Sequence, residues 1–196
     1  MRFTIITPTV QRQSLLKACA SVDSQVGVEW EHVVMVDSAE FNADMMLSLA
    51  HPRRTILHCD RPHRNGGNTC RHNAWALATG DYFFYLDDDN YLADEKILED
   101  LSIALEQAGN PQWGIFPILR HGQRFYFNPP QPCYVDTGNV VVRREVGRWP
   151  DIPDYCSDAV WVEGLKQYPF AAFPDSRPIM VMPDSSFGAG GGINGQ

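Results

Sequence analysis

The stretch FFYLDDDNYL at residues 83–92 joins a run of aromatic and aliphatic residues to three adjacent carboxylates, Asp87, Asp88 and Asp89. Every position from 82 to 86 is apolar, which is typical of a central strand in a parallel sheet that helices cover on both faces. Adjacent carboxylates repel one another unless a cation or protons relieve the repulsion. The stretch therefore predicts a buried sheet with an acidic functional site at the end of one strand.

Strand-like and helix-like segments alternate through the first half of the chain. The predicted strands cover 3–7, 31–36, 54–58 and 81–86, and the predicted helices cover 13–24, 42–49, 69–79 and 94–108. This alternation is typical of an α/β domain with a mostly parallel sheet. We expect residues 1–110 to form a nucleotide-binding half, in which Gly80 is the C′ residue that ends the third helix.

The second half of the chain has a different character, with frequent prolines and shorter elements. Its predicted strands cover 113–119, 124–127 and 140–143, and its predicted helix covers 157–166. We expect residues 111–187 to add a small mixed-sheet acceptor and catalytic lobe to the same domain. The glycine-rich tail at 188–196 carries too little apolar surface to order itself, so we expect it to be flexible.

Charge and composition exclude several classes of protein. The 196 residues carry a net charge of −8, whereas a general nucleic-acid binder normally has a basic surplus. The first residues, MRFTIITPTV, are too polar for the signal peptide pattern, and we expect no transmembrane helix because no run approaches the ~20 apolar residues that one needs. The five cysteines include no CxxC pair, as expected for reduced thiols. We expect a soluble cytoplasmic protein; peripheral membrane docking and the oligomeric state are left open.

Polar residues follow three of the predicted strands at the point where each strand ends. They are Thr7, Pro8 and Thr9, then Asp37 and Ser38, then Asp87, Asp88 and Asp89. Ligands bind at the carboxyl ends of the strands in open parallel sheets, so we expect these residues to meet at one edge.

The triple aspartate has two interpretations. Mg²⁺ and Mn²⁺ bind one or two carboxylates together with ligand phosphates, and alternation along the chain would put Asp87 and Asp89 on one face with Asp88 opposite. The alternative is a solvated acidic turn in which Asp89 or Asn90 caps the next helix.

Other candidates each have a functional and a structural interpretation. Asp37 could accept hydrogen bonds from a base or ribose, and Arg71 could pair with a phosphate at a helix N-terminus. Gly138, beside Thr137, allows a ligand to approach the backbone. Asp158 could be a general base near Trp161, which could line a pocket for a sugar face. In the structural alternatives, Asp37 is a helix cap or turn residue and Arg71 is a surface arginine. Gly138 would then lie in an ordinary turn, and Asp158 would cap a helix.

A structural zinc site is a rival interpretation of one polar segment. Zinc-ligand residue types occur at Cys59, His63, Cys70 and His72. Their spacings do not match the usual paired pattern, and Cys70 and His72 lie two apart on a predicted helix, so they point in divergent directions.

Five segments, in order along the chain, resemble the family 2 glycosyltransferases, which have the GT-A fold. The segments are TIITPTVQRQSLLKACASVDSQ (4–25), HVVMVDS (32–38), NTCRHNAWALATGDYFFYLDDDN (68–90), VDTGNVVVRREV (135–146) and CSDAVWVEGL (156–165). The third is the most specific, because it resembles the family's arginine–asparagine helix followed by the strand that ends in the DXD motif.

The resemblance implies a nucleotide-sugar donor, favouring a UDP-sugar, and Mn²⁺ or Mg²⁺. It implies that Asp89 ligates the metal with Asp87 beside it, that Asp88 contacts the ribose or sugar, and that Asp158 is the catalytic base. The implied donor contacts also include Thr7, Pro8, Thr9, Asp37, Arg71, Thr137 and Gly138. Trp161 is a candidate contact for the acceptor, which would be a glycan, a lipid-linked molecule or a small molecule.

The chain departs from the family pattern in several places. Ser157 precedes Asp158 where the family often has glutamate, and the acidic cluster after the second strand is reduced to Asp37 and Ser38. The QxxRW motif of processive synthases is missing, and no histidine follows His121 to act as a metal ligand. The missing motif predicts a non-processive enzyme, and the resemblance implies an inverting, metal-dependent sugar transferase.

Two other functions compete with this interpretation. A nucleotidyltransferase would also use metal carboxylates, but it usually has a glycine-rich loop after the first strand, and this loop has no glycine. A non-catalytic protein that binds sugar nucleotides or carbohydrates is the other alternative.

Overall fold

The structure is a computed structural model that describes residues 1–126, 136–150, 152 and 157–183. Its strands are β1 (Arg2–Thr9), β2 (Glu29–Val36), β3 (Arg54–His58), β4 (Tyr82–Tyr85), β5 (Tyr91–Leu92), β6 (Trp113–Ile115), β7 (Ile118–Arg120), β8 (Gln123–Phe125), β9 (Val140–Arg143), β10 (Phe170–Ala172) and β11 (Met180–Met182). Its helices are α1 (Leu15–Asp23), α2 (Ala43–Ser48), α3 (Asn68–Leu77), α4 (Ile97–Gln107) and α5 (Ser157–Leu165), with a 3₁₀ turn at Thr137–Asn139.

The predicted α/β class is confirmed by a seven-stranded, mostly parallel sheet. Its strand order is β10-β6-β9-β4-β1-β2-β3, and β1 pairs in parallel with both β2 and β4. The eight elements predicted in the first half all form, with bounds within three residues of those predicted. The tail at 188–196 lies outside the described residues.

β4 lies inside the sheet and is covered on both faces, as its continuous apolar run predicted. Tyr82 and Phe84 belong to one hydrophobic core cluster, together with Phe3 and Ile5 of β1. Phe83 and Tyr85 belong to a second cluster. Because successive side chains of a strand point to opposite faces, β4 contributes to both cores.

The second half contributes to both sheets of the molecule. The predicted strand at 113–119 is divided: β6 joins the main sheet, and β7 joins a small mixed sheet of order β5-β11-β7-β8. The break falls at Pro117, which cannot donate a backbone hydrogen bond to a sheet. Within the described ranges, no helix combines the length and the hydropathy needed to cross a membrane.

Gly80 has a different role from the one predicted. The prediction that it is the C′ residue of α3 is wrong, because α3 ends at Leu77 and the next residue, Ala78, is already extended. Gly80 instead packs against β1, where its N–H donates to Thr4 Oγ1 at 2.9 Å. A Cβ at this position would lie 2.6 Å from the backbone nitrogen of Thr4.

We expect Gly80→Ala to lower the free energy of unfolding by about 1–3 kcal/mol, because the new methyl group meets backbone that cannot move independently. Gly164→Ala is the matched control, since a Cβ at that exposed position of α5 would have no neighbour within 4 Å. The control should gain up to about 1 kcal/mol from helix propensity. Urea denaturation measures both changes, and a loss no larger for Gly80→Ala than for the control would contradict the packing argument.

Candidate active site

The three aspartates lie in a turn at the carboxyl end of β4. The Asn90 N–H donates to the Asp87 carbonyl at 3.0 Å and closes the turn. The interpretation of Asp89 or Asn90 as a helix cap is wrong, because β5 follows and α4 begins only at Ile97. The side chains of Asp87 and Asp89 are partly exposed, whereas Asp88 is buried.

Arg71 pairs with the first aspartate from the neighbouring helix. It lies in the first turn of α3 and is 5% exposed. Its Nη2 forms an ion pair with Asp87, and its Nη1 donates to the Gly66 carbonyl at 2.7 Å. The guanidinium carbon lies 5.0 Å from the centre of the Trp149 ring. These contacts place Arg71 at the acidic turn, so its interpretation as a surface arginine is wrong.

Arg12, which was not among the predicted site residues, pairs with the other two aspartates. Its Nη1 lies 3.0 Å from Asp88 Oδ1 and 3.0 Å from Asp89 Oδ2. The available signal was a basic residue in the loop after β1, at the edge where ligands bind. That signal alone does not identify the partners, which lie more than seventy residues away in the sequence.

The end of β1 contacts the acidic turn through Thr9. Thr9 Oγ1 donates to Asp88 Oδ2 at 2.6 Å. The side chain of Thr7 is instead buried, and its Oγ1 lies 2.9 Å from a ring nitrogen of His32 on β2. Pro8 lies beside Gly67, at the start of α3. Of these three predicted donor contacts, Thr9 is brought directly to the aspartates.

Asp37 lies at the end of β2 and joins β1 through its backbone. Its N–H donates to the Thr9 carbonyl at 2.7 Å. Its carboxylate is buried, and its Oδ1 accepts the His63 backbone N–H at 2.7 Å with a His63 ring nitrogen 3.1 Å away. The ends of β1, β2 and β4 therefore do meet at one edge, as the sequence predicted.

The second half of the chain reaches the same edge through Asp136, which was also not among the predicted site residues. Asp136 caps the 3₁₀ turn by accepting the Gly138 N–H at 2.9 Å. Gly138 itself packs closely on Met180, whose terminal carbon would lie 2.2 Å from an added Cβ. Thr137 is buried in the same turn.

The electrostatics of the edge favour protons or a cation. Burial raises the pKa of Asp89 to about 6, and repulsion from Asp87 and Asp88 adds to the shift. Burial and the Asp87 carboxylate likewise raise the pKa of Asp136 to about 6. Burial also raises the pKa of Asp88. Carboxylates under such mutual repulsion are the oxygen ligands that Mg²⁺ and Mn²⁺ prefer, so the residues present fit a hard divalent ion.

α5 carries Asp158 and Trp161. Asp158 lies in the first turn and accepts the Ala159 N–H at 2.7 Å. Trp161 is 3% exposed and packs edge-on against Tyr85 of β4, with ring centres 5.1 Å apart. Its ring centre also lies 4.9 Å from that of Trp149. Trp161 is therefore a core residue that anchors α5 beside the strand that ends in the aspartates.

Comparison with known proteins agrees with this architecture. The model of the family described as glycosyl transferase family 2 matches residues 4–110, more than half of the chain. A search of the curated proteins finds no match.

Several solved structures share the fold. S. aureus TarS 1–349 superposes with a TM-score of 0.77 at 13% identity, over 93% of this chain and 60% of that one. TarS 1–349 in complex with UDP-GlcNAc gives 0.70 at 14% identity, over 92% and 58%. Mannosyltransferase PcManGT from Pyrobaculum calidifontis, in complex with GDP-Man and Mn²⁺, gives 0.67 at 18%, over 95% and 58%. This chain therefore spans about 60% of the TarS 1–349 chain, and the predicted GT-A-like fold is confirmed.

We expect Asp89→Asn to stabilise the metal-free protein near pH 7. The folded pKa of about 6 exceeds the ordinary value of about 3.9, so ionising Asp89 costs stability above pH 6, and this cost disappears as the pH falls towards 4. The variant should gain on the order of 1 kcal/mol at pH 7 and nothing near pH 4.

Urea denaturation in EDTA between pH 4 and pH 8 measures this gain. Glu95→Gln, at an exposed position, is the control and should show no such pH dependence. A variant that is less stable than the natural chain at pH 7 would show that Asp89 is not under the repulsion described.

Proposed function

Because this chain belongs to glycosyl transferase family 2, we propose that it is an inverting, metal-dependent glycosyltransferase that moves a hexosyl group from a nucleotide-diphosphate donor to an acceptor hydroxyl. The observation that carries the proposal is the group of carboxylates at the end of β4, which receives Arg12 from one side and Arg71 from the other. Such an edge offers both a cation site and guanidinium groups that suit a diphosphate.

The donor would lie across the ends of β1, β2 and β4. Asp37 and the segment Thr7, Pro8 and Thr9 would hold the base, with a UDP-sugar favoured. TarS, in its complex with UDP-GlcNAc, and the mannosyltransferase, in its complex with GDP-Man, support a sugar nucleotide as the ligand class. Arg71 would contact the diphosphate, because its guanidinium already lies at the acidic turn.

Asp89 and Asp87 would hold Mn²⁺ or Mg²⁺. The bound ion would supply positive charge to the leaving diphosphate. The Asp88 carboxylate accepts hydrogen bonds from Thr9 and Arg12, so it orients the loop after β1. Its proposed contact with the ribose or sugar would use the same carboxylate. Thr137 and Gly138 would lie beside the donor sugar, because Asp136 in the same turn feels the charge of Asp87.

Asp158 would act as the general base that takes the proton from the acceptor hydroxyl. It lies one helical turn before Trp161, which packs on Tyr85, and Tyr85 lies two residues before Asp87. This packing supports a base on the acceptor side of the same edge. Contact between Trp161 and the acceptor stays a prediction, and at 3% exposure it requires the ring to move.

The acceptor and the mode of transfer are proposed more broadly. A glycan, a lipid-linked molecule or a small molecule would supply the hydroxyl, and the missing QxxRW motif supports single, non-processive transfers.

A donor-binding protein without activity is a second candidate. It is favoured by the hydrogen bond that the Asp158 carboxylate accepts from a helix N–H, as a terminal cap would.

We expect Asp158→Asn to lower turnover by about 10²–10⁴-fold, because an amide cannot accept the acceptor's proton, while donor affinity is kept. Glu163→Gln, an exposed acid on the same helix, is the control and should keep normal turnover. Transfer assays with Mn²⁺ measure turnover, and calorimetry measures donor binding. Near-normal turnover in Asp158→Asn would exclude the assigned base.

The donor class is tested by thermal unfolding with UDP-, GDP- and dTDP-sugars in the presence of Mn²⁺. A donor at about 100 times its dissociation constant should add ~2.7 kcal/mol to the free energy of unfolding. Asp87→Asn should abolish this metal-dependent shift. Binding without transfer to any acceptor or water would favour the non-catalytic candidate, and no shift with any sugar nucleotide would contradict both.

A further inference from the structure

A second group of metal-ligand residues lies at the ends of β2 and β3. The Asp37 carboxylate, the Cys59 thiol and the His63 ring each offer one ligand atom, and these three atoms lie within 4.8 Å of one another. A fourth donor, Cys70 Sγ, lies 3.2 Å from Cys59 Sγ. We propose that Asp37, Cys59, His63 and Cys70 bind a zinc ion.

Two distances within the group can be compared with those of a tetrahedral zinc site. Zinc bonds to nitrogen and oxygen of about 2.0–2.2 Å place two such ligands about 3.3 Å apart, and bonds to sulfur of about 2.3 Å place two sulfurs about 3.8 Å apart. Asp37 Oδ1 and His63 Nδ1 are 3.1 Å apart, and the two sulfurs are 3.2 Å apart. Binding therefore needs the two sulfurs to separate by about half an ångström. Cys70 Sγ is not among the atoms that all lie within 4.8 Å of one another, so binding also needs Cys70 to move towards Asp37 and His63.

The donor chemistry separates this site from the triple aspartate. Thiolate and imidazole ligands suit zinc, whereas carboxylates alone suit Mg²⁺ and Mn²⁺. Cys59 and Cys70 are both buried, so their sulfurs are shielded from competing water. A ligand set with two sulfurs, a ring nitrogen and one carboxylate oxygen selects zinc over the cation that the sugar donor would bring.

His63 also has a partner that would orient its ring. Its backbone N–H donates to Asp37 Oδ1 at 2.7 Å, which fixes the residue beside the carboxylate. Its other ring nitrogen, Nε2, lies 4.0 Å from Asp60 Oδ1. A ligating histidine usually directs its second ring nitrogen towards a carboxylate, and the exposed Asp60 side chain would reach that position by moving about 1 Å closer.

Zinc at this position would connect four separate elements. Asp37 follows β2, Cys59 follows β3, His63 lies in the loop that leads to α3, and Cys70 lies on α3. The same loop supplies the Gly66 carbonyl that accepts from Arg71. The ion would therefore fix the loop that holds Arg71 towards Asp87, without contacting the donor phosphates itself.

The ligand set differs from the one that the sequence suggested. The rival zinc interpretation included His72, but His72 Nδ1 lies 2.8 Å from the Trp149 carbonyl, and so outside the group. Asp37, which precedes Cys59 by more than twenty residues, takes its place. The unusual spacing of Cys59, His63 and Cys70 does not rule out a zinc site, because one ligand comes from a distant part of the sequence. The pairing of β2 with β3 brings Asp37 beside Cys59.

Cobalt titration of the metal-free full chain under reducing conditions tests the proposal. Co²⁺ bound by thiolates gives a sulfur-to-metal charge-transfer absorption, which Mn²⁺ at carboxylates cannot give. We expect one equivalent of Co²⁺ to produce this band, one equivalent of Zn²⁺ to remove it, and elemental analysis of the purified protein to find one zinc per chain. A band that is missing in the natural chain would overturn the proposal whatever the variants do.

Variants assign the ligands and separate this site from the donor site. Cys59→Ser, Cys70→Ser and His63→Gln should each weaken Co²⁺ binding by more than the about 10–100-fold expected for Asp60→Asn. Cys19→Ser removes a buried thiol outside the group and should leave the titration unchanged.

Asp87→Asn should lose donor binding with Mn²⁺ and keep the cobalt band, so failure of the proposed function does not affect this test. A Cys59–Cys70 disulfide found by mass spectrometry in protein purified under reducing conditions, or a cobalt band kept in Cys59→Ser, would overturn the assignment.

Discussion

Repulsion among the carboxylates at the end of β4 is the constraint on which the site depends. Asp87, Asp88, Asp89 and Asp136 share this edge with two guanidinium groups, those of Arg12 and Arg71. With all four carboxylates ionised, four negative charges face these two guanidinium groups, and Arg120 also acts on Asp136, so negative charge remains in excess. One divalent cation carries the missing charge. Burial is the main cause of the raised pKa values of Asp89 and Asp136, and repulsion from the neighbouring carboxylates adds to both shifts.

The acidic turn keeps its position despite this repulsion because β4 is packed on both faces. Its side chains alternate between the two core clusters, so the strand cannot shift without opening one of them. Tyr85 belongs to the second cluster, where it packs against Trp149 and Trp161. The same aromatic contacts that immobilise the end of the strand also fix α5, and with it Asp158. The same packing therefore makes the core rigid and sets the position of Asp158 relative to the acidic turn.

Periodicity in the sequence was sufficient for most of the fold. The apolar run at 82–86 predicted a doubly covered strand, and the strand–helix alternation predicted a parallel sheet whose strand ends meet. The errors were at positions decided by distant contacts. Gly80 is needed by the backbone of Thr4, and Arg12 is recruited by carboxylates more than seventy residues away. Asp136 was passed over because its neighbours in the sequence do not reveal that Asp87 lies near it.

Asp37 is where the two proposed sites meet, and the chemistry of a carboxylate allows it to serve both. One oxygen, Oδ1, already faces His63, and a carboxylate can ligate zinc through a single oxygen while the other accepts a hydrogen bond from a base. The ligand types keep each metal at its own site. Sulfur ligands bind Mn²⁺ poorly, and zinc prefers the group that contains the two cysteines. Two cations of different chemistry can therefore occupy neighbouring strand ends, one fixing the loop before α3 and the other meeting the donor. The arginine that links them is Arg71, which is held by the carbonyl of Gly66 in that loop and pairs with Asp87 in the acidic turn.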